Sequence, residues 1–260
     1  MIQSAIGESG GPIVILAVSH SGAENIQALL SATQALTCTI SSGILPVCEA
    51  VAITWGHVEN GRVPLSALGL KSIRALASSM ITTLTANAGG SRWCEVTTAN
   101  AGAASVFHQA FPATRFICLY RGCRDVISDV MARHPWGLGG TVFWKYSAAH
   151  PGNSIATTAA YWVDCTTELL KFEDSHPDAC LRMRYEDFCL DSLTGLDVIS
   201  KFAGLPRPSR PDSALTAPRP SPPTAVLSNV NLDGIIDAKM PYDFRIAIRE
   251  LSARLGYERD

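Results

Sequence analysis

The sequence predicts an α/β protein with a central, mostly parallel sheet flanked by helices. The continuous apolar run Ile13–Val18 is typical of a strand that is buried on both faces, and Arg115–Tyr120 predicts a second buried strand. Segments with helical spacing of apolar residues follow both runs, and this alternation favours right-handed β-α-β crossovers. Of the 260 residues, 47% are apolar and 17% are charged, which supports a large core and excludes disorder over most of the length.

The first half of the chain contains two strand-to-helix units. Strand Ile13–Val18 ends in a short turn and is followed by a helix over Ala23–Ala32. Arg92–Thr97 predicts a short strand, and Ala103–Ala110 predicts the helix after it. The segment Ser41–Ala88 between these units has helical patches but no clear assignment.

The second half repeats the alternation and then changes character. The predicted elements are a strand over 115–120, helices over 125–131 and 155–172, a strand over 179–185 and a helix over 193–203. Arg207–Thr224 carries six prolines, which predict a surface excursion or lid. A helix over Tyr242–Leu255 closes what we interpret as a single domain, residues 1–260.

Composition limits the partners and the compartment. With 21 basic and 23 acidic side chains the formal charge is −2, so we expect no nucleic-acid partner, and any phosphate must be held by a local site. The eight cysteines form no C-x-x-C pair, so no metal site is predicted; free thiols in a reducing compartment are the favoured interpretation, with disulfides as the alternative. No basic leader and no run suited to a bilayer precede or interrupt the domain, which predicts a cytoplasmic protein without a membrane partner.

The turn after the first strand is the first candidate site. In a parallel sheet, ligands bind at the carboxyl ends of the strands, and Ser19–Glu24 connects such an end to a helix. Backbone amides and the helix dipole at this place suit a phosphate or a sulfate. The turn lacks the Walker A pattern, and a plain strand-to-helix connection remains the alternative.

Three further segments carry a resemblance to a known family. Phe111–Val126 resembles the F-P-x-A-x-[FI]-I-x-x-x-R-x-x-R-D-V segment of sulfotransferases, with its alanine one place early. Leu181–Phe188 resembles their R-Y-E-D-[LF] landmark, and Phe202–Pro206 resembles F-L-G-L-P. The likeness spans roughly Ile13 to Pro206 and implies a bacterial sulfotransferase with a P-loop-type, three-layer fold and the donor 3′-phosphoadenylyl sulfate (PAPS).

The resemblance assigns donor-binding roles to individual residues. Arg121 matches the arginine that holds the 3′-phosphate, and Tyr185 matches an aromatic residue that contacts the adenine. Asp129 stands where the family usually has a serine that touches the same phosphate. The loop around the 5′-phosphosulfate corresponds to Ser19, His20, Ser21, Gly22, Ala23 and Glu24.

That loop departs from the family pattern of Arg or Lys followed by x-G-T-T. His20 replaces the cation, Ala23 and Glu24 replace the two threonines, and the family's E-K-[ST]-P segment is here Glu95–Thr98. Sulfuryl transfer needs a cation or hydrogen-bond donor at the bridging oxygen and a base for the acceptor proton. Protonated His20 is our candidate for the first role; Glu95, placed at a strand end, and then His108 are candidates for the second.

The predicted acceptor is a small organic hydroxyl or amine. Trp136, Phe143 and Trp144, in the stretch between His134 and His150, are candidates for shaping its pocket. The same departures also fit two other hypotheses, which are PAPS-independent acid–base chemistry by His20 with a carboxylate, such as a cyclisation or elimination, and a non-catalytic homologue. A homo-oligomer is possible, and the sequence does not identify the acceptor.

Overall fold

A computed structural model describes residues 10–33, 35–58, 65–86, 92–139, 142–206 and 232–257. Within these residues, five parallel strands form one sheet in the order β2-β3-β1-β4-β5. The strands are β1 (Ile13–Ala17), β2 (Leu36–Ile40), β3 (Arg92–Thr98), β4 (Arg115–Tyr120) and β5 (Cys180–Arg184). Helices cover both faces, so the predicted three-layer α/β fold is confirmed.

The helices are numbered in chain order. The first six are α1 (Ala23–Ala32), α2 (Ile44–Val58), α3 (Ala67–Thr85), α4 (Ala101–Ala110), α5 (Cys123–Arg133) and α6 (Trp144–Ser147). The remaining ones are α7 (Ser154–Ser175), α8 (Tyr185–Leu190), α9 (Ser192–Ala203), α10 (Leu232–Lys239) and α11 (Tyr242–Leu255). The C-terminal helix was predicted with the same bounds.

Strand β1 lies at the centre of the sheet, and all five of its residues are buried. Its residue Ala17 pairs with Thr98 of β3 on one side and with Leu119 of β4 on the other. The chain moves outward to β2 after β1 and to the opposite side after β3, so the direction of winding reverses beside β1. This reversal is a topological switch point, where α/β proteins open a crevice for ligands.

The two faces of the sheet are packed separately. On one face, Ile13 and Ile15 pack with apolar residues of α1, α8 and α9, such as Ile26 and Ile199. On the other face, Val14 and the alternate strand residues pack with the larger set of helices that includes α2–α5 and α7. Burial on both faces explains why β1 is a continuous apolar run and not an alternating one.

The sequence interpretation missed one strand. Edge strand β2 consists of Leu-Thr-Cys-Thr-Ile, and its burial decreases along its length until Ile40 is exposed. The unassigned segment after it contains two long helices, α2 and α3. The proline-rich segment 207–224 lies outside the described residues. None of the described helices is long and apolar enough to cross a bilayer.

Candidate functional site

A cavity of about 700 Å³ opens at the carboxyl edge of the sheet, where β1, β3 and β4 end. We call it the crevice. It is bounded by the loop after β1, the end of β3 and the first helical turns that follow. Its lining includes Ser19, His20, Ser21, Gly22, Ala23, Glu24, Asn25, Ser41, Thr97, Thr98, Arg121, Asp129, Arg133 and Tyr185.

Arg121 joins the end of β4 to the loop after β1. Its Nη1 donates a hydrogen bond to the backbone oxygen of His20 at 2.7 Å, and its own carbonyl accepts one from Nε1 of Trp162 at 2.9 Å. The guanidinium carbon lies 5.1 Å from the centre of the Tyr185 ring, which it covers. The structure therefore brings the loop and Arg121 together in one crevice, although they are about a hundred residues apart in sequence.

Two polar atoms in the crevice have no partner. Among the described residues, Oγ of Ser21 and Nε of Arg121 are buried without a hydrogen bond. Ser21 is 1% exposed and Arg121 is 6% exposed, so solvent does not satisfy either group. An unsatisfied buried donor costs about 1–3 kcal/mol, and native proteins rarely tolerate two close to one cavity without a reason. A ligand that accepts hydrogen bonds would remove this cost.

The start of α1 adds further donors. Gly22 caps the helix in the left-handed conformation, with φ 75°, and no side chain caps the free amides. The amide of Ser21 is already bound to the carbonyl of Val18 at 3.1 Å. Within the described part of the chain, the amides at Gly22, Ala23 and Glu24 have no acceptor, and free amides at a helix start are donors suited to an anion.

The side chain of Tyr185 packs against the start of α1. Its hydroxyl accepts a hydrogen bond from Nδ2 of Asn25 at 2.7 Å, and burial raises its pKa to about 12. Only 2% of the residue is exposed, which leaves little of the ring open for stacking against an adenine. The Tyr185 ring is part of the crevice wall, and its contact with an adenine stays a prediction.

His20 and Asp129 form a close pair across the crevice. Nδ1 of His20 lies 2.6 Å from Oδ2 of Asp129, and Nε of Arg133 lies 2.8 Å from the same oxygen. Burial raises the pKa of Asp129, but the hydrogen bond from His20 and the charges of Arg133 and Arg121 outweigh it and lower that pKa overall. Asp129 is therefore a carboxylate whose charge is balanced by neighbouring donors. Glu24, by contrast, is exposed, so water screens its charge.

Glu95 does not lie where the sequence analysis placed it. Strand β3 continues to Thr98, and Glu95 pairs with Val14 in the middle of the sheet. Its carboxylate is 1% exposed and accepts hydrogen bonds from the hydroxyl of Thr39 and, at 2.8 Å, from the amide of Ser42. The prediction that Glu95 stands at a strand end facing the crevice is wrong, because pairing with β1 extends three residues beyond it.

His108 also lies away from the crevice. It occupies the last turn of α4, which runs from the carboxyl edge of the sheet towards the amino edge. Its ring packs against His176 and Phe116 with centroid distances of 4.9 and 5.7 Å. The structure thus separates His108 from His20 and Arg121 by the length of the sheet.

A second cavity of about 580 Å³ adjoins the crevice and shares Ser41, Thr97 and Thr98 with it. We call it the side cavity. Among the predicted aromatic residues, Trp136 and Trp144 are exposed by 99% and 68% and do not line it, while Phe143 is buried against Tyr161. The lining comes from neighbours that the sequence analysis did not select, namely Glu49, Asn100, Val142, Lys145, Tyr161, Asp164 and Glu168.

The sequence of this chain matches the pattern of the sulfotransferase family over residues 12–209. This match covers about three quarters of the chain. The chain belongs to the sulfotransferase family. The predicted resemblance over Ile13 to Pro206 is therefore confirmed.

Solved sulfotransferase structures share the fold of this family member. A sulfotransferase domain from the curacin biosynthetic pathway is 18% identical, with a TM-score of 0.61 and coverage of 96% of this chain and 99% of that one. A sulfotransferase from Alicyclobacillus acidocaldarius is 12% identical, with a TM-score of 0.60 and coverage of 95% and 97%. A mouse sulfotransferase complexed with PAP is 13% identical, with a TM-score of 0.50 and coverage of 100% and 89%. No curated protein sequence matches the chain.

Proposed function

We propose that this chain is a sulfotransferase that uses PAPS as donor and transfers the sulfuryl group to a hydroxyl or amine of a small organic acceptor. The observation that carries the proposal is the pair of buried, unpartnered donors, Oγ of Ser21 and Nε of Arg121, in one crevice. Both atoms are donors that a phosphate or sulfate oxygen satisfies. The free amides at the start of α1 are also donors that suit a phosphate or sulfate.

The size and position of the crevice support this donor. Its volume of about 700 Å³ lies within the range of cavities that hold a small molecule such as a nucleotide. One structural relative is a mouse sulfotransferase complexed with PAP. PAP is 3′,5′-ADP, the nucleotide that remains when PAPS has lost its sulfuryl group. In our proposal, Arg121 and Ser21 bind the phosphates, and the loop amides bind the 5′-phosphosulfate.

We assign the acceptor to the side cavity. It meets the crevice at Ser41, Thr97 and Thr98, so a molecule bound there reaches the donor's sulfur across this shared edge. Its volume of about 580 Å³ suits a small organic molecule and not a polymer. Two structural relatives are sulfotransferase domains of the curacin biosynthetic pathway and of a Synechococcus olefin synthase, which fits an acceptor made in biosynthesis.

Binding of 3′,5′-ADP tests the donor site, and Ser21→Ala makes the test specific. Because Oγ of Ser21 has no internal partner, its removal costs the free protein no hydrogen bond, and stability should be unchanged or higher. The affinity for 3′,5′-ADP in isothermal titration calorimetry should fall about tenfold, since a hydrogen bond to a charged phosphate is lost.

Thr166→Val is the matched control. Oγ1 of Thr166, on α7, is also buried without a partner, but Thr166 does not line the crevice. This variant should keep the affinity of the wild type for 3′,5′-ADP. If the wild type binds neither 3′,5′-ADP nor PAPS at millimolar concentration, or if both variants lose affinity equally, the proposed donor site is wrong.

The second candidate function is PAPS-independent acid–base chemistry in the same crevice. The observation in its favour is the 2.6 Å contact of His20 with Asp129, which places an imidazole and a carboxylate where the family has a cation and a serine. Turnover of a substrate by purified protein in the complete absence of PAPS would favour this candidate. Release of 3′,5′-ADP from PAPS only when an acceptor is sulfated would exclude it.

A further inference from the structure

His20 is held at both its backbone and its ring. Its carbonyl accepts the hydrogen bond of Arg121, and its Nδ1 contacts Asp129 at 2.6 Å. The side chains of His20 and Asp129 are 14% and 16% exposed. The ring edge of His134 and the ring of Phe143 lie beside the imidazole, with centroid distances of 5.5 and 5.8 Å. These contacts restrict both the position and the rotation of the imidazole.

The backbone of His20 is strained. Its φ of 67° lies in the left-handed region, which costs a residue other than glycine about 1–3 kcal/mol. Such strain persists where the surrounding contacts fix a residue for function. Here the strained conformation points the ring towards α5, which carries Asp129 and Arg133.

The contact also determines which ring nitrogen carries the proton. The carboxylate of Asp129 is only an acceptor, so Nδ1 of His20 donates to it. With the proton on Nδ1, Nε2 is the ring nitrogen left for the acceptor, and the ring makes no other hydrogen bond within the described residues. His20 and Asp129 both line the crevice, and neither Glu95 nor His108 does.

We propose that His20 is the general base for the acceptor in the transfer described above, and that Asp129 is the positioning residue that holds its Nδ1–H and presents Nε2 to the crevice. This inference rests on the proposed function. A phosphate leaves as a stable anion and needs no proton, whereas an attacking hydroxyl must lose one. The imidazole is therefore of more use as a base than as an acid.

The acceptor oxygen forms a bond to sulfur while the bond from sulfur to the bridging oxygen breaks, and the electron pair of that bond stays on the phosphate of 3′,5′-ADP. The acceptor proton moves to Nε2 of His20. The resulting imidazolium is stabilised by the adjacent carboxylate of Asp129 and releases its proton to water.

Nuclear magnetic resonance of the protein labelled with ¹⁵N-histidine tests the positioning role without substrate. Long-range ¹H–¹⁵N spectra at about pH 8 should show His20 in the Nδ1–H tautomer in the wild type. Asp129→Asn should shift His20 towards the Nε2–H tautomer, because the amide no longer demands a proton at Nδ1. An Nε2–H tautomer in the wild type, or identical spectra in Asp129→Asn, would overturn the inference.

Kinetics with [³⁵S]PAPS test the catalytic role, with water and 2-naphthol as the acceptors. Asp129→Asn should lower kcat about 10²–10⁴-fold and change the Kd for 3′,5′-ADP less than about threefold. Asp129→Glu should recover part of the loss. Asp174→Asn, which breaks an ion pair with Arg254 away from the crevice, is the matched control and should retain kcat.

His20→Gly allows a rescue experiment that distinguishes a catalytic role of His20 from a purely structural one. Glycine accepts a φ of 67° without strain, so this variant should fold, but it should lose sulfuryl transfer. Added imidazole should restore transfer in His20→Gly and should restore less in His20→Gly combined with Asp129→Asn. Absence of rescue in a variant that still binds 3′,5′-ADP would overturn the inference alone, whereas absence of nucleotide binding by the wild type would overturn the proposed function as well.

Discussion

The ring of Tyr185 occupies the space that a side chain at residue 22 would need. A β-carbon at residue 22 would overlap with Cε2 of Tyr185, and Gly22 itself has φ 75°. The loop after β1 can therefore rest directly on the tyrosine ring only because residue 22 is glycine. This contact sets the distance of the free amides at the start of α1 from the tyrosine ring.

Gly22→Ala should therefore destabilise the protein and weaken nucleotide binding. The left-handed conformation and the contact with the ring together should cost about 2–4 kcal/mol of unfolding free energy. Gly204→Ala is the matched control, because Gly204 has φ 65° but no atom within 4 Å of a built β-carbon. It should cost only about 1 kcal/mol, measured by urea denaturation, and leave the affinity for 3′,5′-ADP unchanged. Equal losses in the two variants would contradict the role of the ring contact.

Tyr185→Phe separates the ring from its hydroxyl. The variant loses the hydrogen bond that the hydroxyl accepts from Asn25, which should lower the unfolding free energy by about 1 kcal/mol. Since the ring still supports Gly22 and Arg121, the Kd for 3′,5′-ADP should change little. A large loss of affinity in calorimetry would instead indicate that the hydroxyl contacts the nucleotide.

Glu95→Gln should change how stability depends on pH. Burial raises the pKa of Glu95 above its ordinary value, and hydrogen bonds from Thr39 and Ser42 offset only part of this effect. The folded protein therefore holds the Glu95 proton more tightly than the unfolded chain, so this residue's contribution to stability decreases as pH rises through the interval between the two pKa values. Glutamine does not titrate, and it retains an oxygen for the Ser42 amide.

Denaturant titrations of the wild type and of Glu95→Gln at steps from about pH 4 to 8 measure this effect. The unfolding free energy of the variant, relative to the wild type, should increase with pH and then level off. Two curves that stay parallel would show that Glu95 has the same proton affinity in the folded and the unfolded states.

Glu186 connects three parts of the chain below the crevice. Its carboxylate accepts hydrogen bonds from the amide of Gly122 at 3.0 Å and from the hydroxyl of Tyr257 at 2.8 Å. Glu186→Ala should cost about 1–3 kcal/mol and should weaken 3′,5′-ADP binding, because Gly122 follows Arg121 directly. Asp187→Asn changes the neighbouring carboxylate, which pairs with Arg184 at the surface, and should cost less than about 1 kcal/mol. Thermal unfolding and calorimetry of both variants check this, and a more damaging Asp187→Asn would contradict it.

Cys38 should be the more reactive of two partly exposed thiols. A hydrogen bond with Cys94 lowers the pKa of Cys38, whereas burial raises the pKa of Cys165 to about 11. The thiolate is the reactive form, so iodoacetamide should modify Cys38 first. Peptide mass spectrometry after timed labelling measures the order of modification. Faster labelling of Cys165 would contradict this prediction.

The sequence was most informative where one requirement dominates a segment. Burial on both faces favours a mostly apolar strand, and β4 was predicted with the bounds that the structure shows, Arg115–Tyr120. Helix α11 was equally clear from its amphipathic spacing. Strand β2 was missed because an edge strand whose second half is partly exposed does not have to be continuously apolar.

The candidate site could be predicted only in part. The rule that ligands bind at the carboxyl ends of parallel strands was enough to select the loop after β1, whereas Arg121 was selected by the resemblance to sulfotransferases. The partner of His20 could not be found in this way, because it lies 109 residues away and depends on how α5 packs. In the sequence, Asp129 was noted only because it replaces a serine of the family pattern. In the structure, its carboxylate contacts the imidazole of His20. The hydroxyl of Tyr161 accepts a hydrogen bond from the amide of Ser19. The sequence did not indicate this contact, because Tyr161 fits the apolar stripe of α7.

Ser41 stands between the two cavities, and the residue that follows it is bound through its amide to the buried carboxylate of Glu95. The segment that separates the two cavities is therefore held by a buried side chain of β3 in the protein without ligand. If the side cavity holds the acceptor as proposed, a partition fixed in this way would sort acceptors by their cross-section, so that slender molecules enter and bulky ones do not, whatever their reactivity.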